Sequence, residues 1–185
     1  MTTVHGLPVT GLTLTLVDCA RTLAPLDALV VADAALRAGA DRDSALAMLD
    51  SSRGRPGVAR ARAVIELADD GAESARESAT RFVLLRGGLP CPQTQVPVMT
   101  RLGTFWADLG WEEWKLLVEY DGLAKYSSPD DLVREKRRRD AIAEVGCRTL
   151  HVVKEDLLAP AQLCARVRRL LPPDIQPVRR PCLII

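Results

Sequence analysis

The sequence predicts an α/β protein (α+β in some schemes), with a helical N-terminal region and a core in which helices flank a small mixed sheet. Two observations predict this class. Before residue 70, apolar residues recur with helical spacing, whereas after residue 73 short apolar runs of strand length alternate with segments of helical pattern. The second region reads as helix, three antiparallel strands, helix, strand and helix, an order that gives one sheet covered by helices.

The N-terminal region reads as three or four short helices. Leu12 and Leu16 lie on one helical face. Pro25 occupies a favoured first-turn position, and Gly39 can end the helix that begins there. The other helices of this region are expected at residues 41–49, capped by Asp41 or Asp43, and at residues 58–68.

The second region carries the strands. The continuous apolar run Leu116-Leu117-Val118 predicts a buried strand, and the reversal before it falls near Glu112-Glu113. A strand at residues 93–99 should lie at a sheet edge because Pro97 cannot donate to a strand ladder. The remaining elements are expected as helices at residues 74–86, 129–145 and 155–171, and as a strand at residues 147–153.

These patterns divide the chain into a helical region at residues 1–72, a domain at residues 73–171 and a flexible tail at residues 172–185. The tail is rich in proline and arginine and does not predict a fixed structure. A chain of 185 residues, 48% of them hydrophobic, is long enough to bury a core.

Charge and cysteine content limit the possible functions. The formal net charge of +1 argues against a strongly basic nucleic-acid coat, although the positive excess lies in the second region. The five cysteines lack paired spacing, which argues against a zinc site and a disulfide framework and favours a reducing cytoplasm. We expect no membrane association, because no apolar run approaches the ~18 residues that cross a bilayer.

Three acids lie near the predicted reversal. Asp108 opens a short strand and should lie opposite or diagonal to residues 117–119, with Cβ atoms about 5–8 Å apart. Glu119 and Asp121 should face the same side, because strand side chains alternate. Carboxylates this close repel unless a cation or proton intervenes, and hard divalent cations prefer such ligands. The alternatives are an exposed acid at a strand edge and a simple turn at Asp121-Gly122.

These acids and their neighbours carry a family resemblance over residues 73–171. Glu77 lies in a helix upstream, Val118-Glu119-Tyr120-Asp121-Gly122 ends the buried strand, and Lys125-Tyr126 and a basic helix at residues 134–140 follow. The pattern resembles the PD-(D/E)xK nuclease superfamily, most of all bacterial proteins related to very-short-patch repair endonucleases. The resemblance implies a restriction-endonuclease-like core and a Mg²⁺-dependent (or Mn²⁺-dependent) DNA endonuclease or nickase. The implied metal ligands are Asp108, Glu119 and Asp121.

The pattern departs from the superfamily at two positions. Asp121 stands where a lysine is usual, although the repair-type relatives also carry Asp-Gly there. Lys125 stands where many relatives place a histidine, and it either stabilises charge on a phosphate or is a solvated loop residue. His151, on the last strand, is expected to be structural rather than catalytic.

Several other side chains have two interpretations. Glu77 either faces the metal, as the resemblance implies, or completes a capping box with Ser74. The tryptophans near the hairpin either stack on bases or, as we favour, pack against helices. The basic helix either contacts DNA phosphates or is a solvated face paired with neighbouring acids. Its candidate DNA-binding residues are Arg134, Lys136, Arg137 and Arg138.

The N-terminal region resembles the middle segment of AbiEi-type regulators of type IV toxin–antitoxin systems. The matching words are His5-Gly6-Leu7-Pro8-Val9-Thr10 and Val30-Val31-Ala32-Asp33-Ala34-Ala35-Leu36-Arg37. In such proteins a winged helix-turn-helix usually precedes this segment, and the present sequence begins at the segment itself. This resemblance implies a second possible function, a non-catalytic DNA-binding regulator or antitoxin-like module that keeps the nuclease fold and has a toxin or regulator as its partner.

Overall fold

The structure is a computed structural model that describes residues 2–122 and 129–183. These residues include eight α-helices and a four-stranded mixed sheet flanked by helices, which confirms the predicted α/β class. The chain forms two compact units. The first extends to Phe82 and also takes in the C-terminal segment from Arg180, and the second is Val83–Arg179.

The first unit begins with a hairpin that the sequence analysis missed. Strands β1 (Thr2–Val4) and β2 (Leu7–Val9) pair antiparallel. Between them His5 and Gly6 have φ values of 49° and 80°, the left-handed conformation of a tight turn. The interpretation of this stretch as part of a wholly helical region was wrong, because three-residue strands are too short to show a period-two pattern.

Four helices follow close to the predicted positions: α1 (Leu12–Thr22), α2 (Pro25–Arg37), α3 (Arg42–Asp50) and α4 (Val58–Leu67). Pro25 is the first residue of its helix, and the Asp41 side chain caps α3 by accepting the Ser44 N–H at 2.7 Å. Many of their contacts are made by alanines, and Ala28, Ala32 and Ala61 are completely buried. Small side chains let the short helices approach closely.

Helix α5 (Ala75–Arg86) crosses the boundary between the units. Within the first unit, Arg81 pairs with Asp33 of α2 at 2.5 Å, and both side chains are 1% exposed. Arg81 also donates to the Leu67 carbonyl at 2.7 Å, and Asp33 accepts the Asp69 N–H at 2.8 Å. These bonds hold the first two thirds of α5 in the first unit, which extends to Phe82, ten residues beyond the division predicted after residue 72.

The second unit is built on one sheet with the order β3 (Gln93–Thr100), β4 (Gly103–Trp111), β5 (Leu116–Tyr120) and β6 (Arg148–Val152). The first two pairings are antiparallel and the third is parallel. Parallel neighbours need a crossover, which helix α6 (Pro129–Glu144) supplies. The prediction that the strand containing Pro97 lies at an edge is confirmed.

Each face of this sheet buries its own apolar cluster. Val83 and Leu84 of α5 pack with Leu109 and Val118 on one face, together with α7 (Lys154–Leu158) and α8 (Pro160–Arg168). The other face buries Val96, Val98, Ala107 and Leu117 against Ile142 of α6. The sequence predicted one last helix at residues 155–171, but Pro160 begins a second helix because proline suits a first turn and cannot continue a preceding one.

Residues after 171 are tied to the body of the chain rather than forming a loose tail throughout. The Val178 N–H donates to the Gly88 carbonyl at 2.9 Å in the second unit. Leu183, in a 3-10 turn at Pro181–Leu183, is 1% exposed within the first unit. A search of the described residues finds no helix with both the length and the apolar character needed to cross a bilayer.

Candidate functional site

The acids of interest lie on the β4–β5 hairpin in the second unit. A 3-10 turn at Glu112–Trp114 reverses the chain where the sequence predicted, and Lys115 ends it with φ 48°. Leu109 then pairs with Val118 and Gly110 with Leu117. Gly110 has no substitute here, because a Cβ atom would lie 2.6 Å from the Leu116 carbonyl oxygen.

Asp108 joins the two strands through its side chain. The sequence analysis expected Asp108 to open a short strand, but it lies in the second half of β4. Its Oδ2 atom accepts the backbone N–H of Tyr120 at 2.7 Å, just beyond the last ladder pair, Leu109–Val118. The carboxylate thus takes the place of a strand carbonyl and satisfies an N–H that points towards β4.

Glu119 is paired with an arginine. Its side chain is 5% exposed, and both of its oxygens are bonded to the guanidinium of Arg138 from α6, with Nη1–Oε2 at 3.1 Å and a second contact from Nη2 to Oε1. Arg138 also donates to Glu135 at 3.3 Å. Burial disfavours its charge, but the bonds to Glu119 and the attraction of Glu135 outweigh burial and raise the pKa of Arg138.

Asp121 and His151 complete the cluster. Parallel pairing places His151 of β6 beside Glu119 of β5. The His151 Nδ1 atom is 3.0 Å from Asp121 Oδ2 and 3.9 Å from Glu119 Oε2, which confirms that the two acids face the same side. Arg139 also reaches Asp121 Oδ2, at 3.2 Å.

His151 is the member that sequence reasoning placed outside the site. Its Nδ1 atom is buried and has no aligned hydrogen-bond partner in the described part of the chain, despite the short distance to Asp121. The signal that could have placed it was the parallel register of the last strand. A strand that follows a crossover helix from β5 returns beside β5, and one register choice puts residue 151 opposite residue 119.

The carboxylates, as arranged, do not fit a divalent cation. Asp108 accepts a backbone N–H, Glu119 is bonded at both oxygens by Arg138, and Asp121 is in contact with Arg139. No group of three His, Cys, Asp or Glu residues within ranges 2–122 and 129–183 is placed to hold a metal ion. A Mg²⁺ or Mn²⁺ ion on Glu119 would first require Arg138 to leave.

Two predicted site residues lie elsewhere. Glu77, in the first unit, forms a variant of the capping box that was its alternative interpretation: its carboxylate accepts the Ser74 hydroxyl at 2.8 Å and, one residue before the cap, the Glu73 N–H at 2.7 Å. The Glu77 N–H donates back to Ser74 Oγ at 3.2 Å. Lys125 lies outside the described residues, so its role stays a prediction.

The basic helix divides into paired and unpaired side chains. Arg134 is bonded to Asp131 at 2.5 Å, and Arg138 and Arg139 are bonded to Glu119, Glu135 and Asp121. Lys136 and Arg137 are exposed and have no ion-pair or hydrogen-bond partner among the described residues. Of the candidate DNA-binding residues, these two are therefore the ones ready to meet an outside anion.

The tryptophans also divide. Trp111 is 4% exposed and packs with the cluster under α5 and α8, and Trp114 packs against the same cluster with its ring centroid 6.1 Å from that of Trp111. The packing interpretation is confirmed for these two. Trp106 is 58% exposed.

Comparison with known proteins identifies relatives but no function. The chain is 35% identical over 161 residues to the uncharacterized proteins MT2308 and Rv2248, from two strains of Mycobacterium tuberculosis. The match covers 84% of this chain and 58% of each relative, so the chain spans little more than half of their length. No family model matches the sequence. No solved structure matches it significantly.

Proposed function

We propose that this protein is a non-catalytic DNA-binding module of the regulator or antitoxin-like kind, built on a nuclease-like sheet in which Glu119 and Asp121 are paired with arginines. The observation that carries the proposal is the two-pronged bond from Arg138 to Glu119. A catalytic carboxylate must be available to its metal. Here the metal would have to displace a charge-assisted pair and leave a partly buried guanidinium without its counter-charge.

The unpaired cations of α6 support the DNA-binding part. Lys136 and Arg137 are exposed on one stretch of helix and can contact phosphate oxygens, which fix a protein on a duplex without reading sequence. The formal net charge of only +1 predicts that binding depends on such local contacts and weakens with salt in proportion to their number. A cytoplasmic location belongs to the same proposal, and the four cysteines with described side chains are free thiols.

The experiment is a salt series with a fluorescent duplex. The slope of log K against log salt should be negative, and Arg137→Ala should lower its magnitude by about one, the value expected for one lost phosphate contact. Arg53→Ala is the control, because Arg53 is 81% exposed but lies in the turn after α3 in the first unit. Absence of salt-dependent DNA binding would remove the proposed function.

A Mg²⁺-dependent endonuclease or nickase is the competing function. It is favoured by one observation, the convergence of Glu119 and Asp121 beside His151. Supercoiled plasmid with Mg²⁺ or Mn²⁺, with and without chelator, separates the two. Asp108→Asn is a cleaner test variant than Asp108→Ala, because the amide oxygen can still accept the Tyr120 N–H. Metal-dependent nicking that Asp108→Asn and Glu119→Gln abolish would replace the binding module with the enzyme.

A further inference from the structure

A groove lies between α6 and the turn that joins β3 to β4 in the second unit. Its volume is about 500 Å³, within the range of about 300–1,000 Å³ typical of small-ligand clefts. The groove has two kinds of wall. The hairpin supplies an apolar wall, and α6 supplies a charged one. The described residues that line it are Leu102, Phe105, Asp131, Arg134, Glu135, Arg137 and Arg138.

The apolar wall of the groove is formed by the side chains of Leu102 and Phe105. Leu102, at the turn, is 47% exposed. Phe105 packs on one side against the apolar cluster under α6, and the guanidinium carbon of Arg138 lies 5.7 Å from its ring centroid. That is a cation–π contact, and the bond from Arg138 to Glu119 holds the guanidinium beside the ring.

Among the described lining residues, the charged wall carries three arginines and two acids. Arg134 and Arg138 are matched by Asp131 and Glu135 within the groove, and Glu119 binds Arg138 from below. Arg137 has no such partner among the described residues, and the Arg134 side chain is 76% exposed. An anionic group entering the groove therefore meets one unpaired guanidinium and a second that can reach it.

From this pairing of an aromatic wall with an unpaired arginine we infer that the groove binds an unstacked nucleotide of single-stranded nucleic acid. The base lies against Phe105 and Leu102, and the adjoining phosphate is bound by Arg137. A duplex keeps its bases stacked inside and presents mainly phosphates to such a surface, so it leaves the apolar wall unused. The inference rests on the proposed function and names the form of nucleic acid that this site prefers.

The test measures fluorescence anisotropy of the full chain with a labelled single-stranded oligonucleotide and with a duplex of the same length. Phe105→Leu keeps an apolar side chain against the core and removes the aromatic face. It should weaken single-strand binding about tenfold, the order expected for one stacked base, and change duplex binding little. Trp106→Leu is the control, because Trp106 is 58% exposed and adjacent strand residues face opposite sides of the sheet.

A second pair of variants tests the phosphate contact. Arg137→Ala should weaken single-strand binding more than Lys136→Ala, since both remove one exposed charge from α6 but only Arg137 lines the groove. If Phe105→Leu fails to fold, Leu102→Ala, at an exposed turn, tests the apolar wall by the same measurement of single-strand affinity. Equal affinity for the single strand and the duplex would overturn the inference while leaving DNA binding intact. So would a loss of single-strand affinity caused by Trp106→Leu rather than by Phe105→Leu. No binding to either nucleic acid would overturn the proposed function itself.

Discussion

Arg138 on α6 and Glu119 on β5 are joined by two hydrogen bonds, and this pair connects the basic helix to the sheet beneath it. Arg138 lies nineteen residues after Glu119, on helix α6. Glu119 is buried, so its charge is supported by Arg138 rather than by water. The same guanidinium also orders Phe105 and Glu135. The pair therefore decides both whether the acids are available to a metal and how the groove is shaped.

Removing one partner of this pair should cost far more stability than removing both. Arg138→Met leaves the Glu119 carboxylate buried without a counter-charge, and we expect a loss of about 2–4 kcal/mol in the free energy of unfolding. Arg138→Met with Glu119→Gln should recover most of that loss, because no buried charge is left. The midpoints of urea unfolding, compared at a constant m-value, measure the stability of both variants. A single variant within about 0.5 kcal/mol of the wild type would show that the pair is solvated in solution.

Glu77 should act as a helix cap and not as a ligand. Glu77→Gln keeps an acceptor for the Glu73 N–H, so its stability should stay close to that of the wild type. Glu77→Ala should lose about 1 kcal/mol. Thermal unfolding compares the two, with Ser74→Ala as a second cap variant of similar cost. If Glu77→Gln had normal stability but reduced DNA cleavage as much as Asp108→Asn does, the metal-facing interpretation would be restored.

Gly87, just after α5, should tolerate no side chain while Cys164 is present. A Cβ atom there would lie 2.2 Å from the Cys164 sulfur and 3.2 Å from the Val83 carbonyl oxygen. Gly87→Ala should therefore destabilise the protein by about 1–3 kcal/mol through overpacking. Adding Cys164→Ala removes the closest atom and should return part of the loss, which a double-mutant cycle measures. Purely additive losses would mean that the backbone moves instead.

The candidate site was only partly readable from the sequence. Glu119 and Asp121 could be placed on one side because strand alternation is local and regular. The Arg138 partner could not be predicted, since the rotation of α6 relative to the sheet depends on how Ile142 packs against Val96 and Val98, which is a tertiary effect. The same rotation decides which cations of the basic helix are paired: the pairing interpretation holds for Arg134, Arg138 and Arg139, and the DNA-contact interpretation stays a prediction.

The fold was more readable in its long elements than in its short ones. Helices α1 to α6 carry periodic patterns and cap signals such as Asp41, so their existence follows from local physics. The β1–β2 hairpin and the break before Pro160 were missed because each involves too few residues to set a period. The sequence divides the chain after residue 72, whereas the first compact unit extends to Phe82, because the Asp33–Arg81 pair joins residues 48 positions apart, which no local pattern shows.

Stability should depend on pH through the cap of α3. The hydrogen bonds from Ser44 hold the pKa of Asp41 below its ordinary value. A lowered folded-state pKa means that the contribution is fully present above the unfolded-state pKa, about 3.9, and is lost as the pH falls through the folded value. Asp41→Asn keeps the cap but not the charge, so its melting temperature should fall below that of the wild type at pH 6 and approach it below pH 4. A difference that stays constant with pH would assign the effect to another group.

Among the ion pairs described in the first unit, breaking the buried Asp33–Arg81 pair should lower the free energy of unfolding the most. Both side chains are 1% exposed, and Arg81 also donates to Leu67 while Asp33 accepts from Asp69. Arg81→Met leaves a buried carboxylate with one backbone donor, and we expect a loss of about 3–5 kcal/mol in the free energy of unfolding. Asp33→Asn should cost a similar amount, because the amide still accepts the Asp69 N–H but the buried Arg81 guanidinium loses its counter-charge. Combining Arg81→Met with Asp33→Leu should recover several kcal/mol relative to Arg81→Met alone, although the Leu67 carbonyl and the Asp69 N–H both lose a partner. Calorimetry or urea unfolding gives the order of the three variants, and a double variant less stable than Arg81→Met would show that the backbone bonds, rather than the charge pair, hold this half of α5.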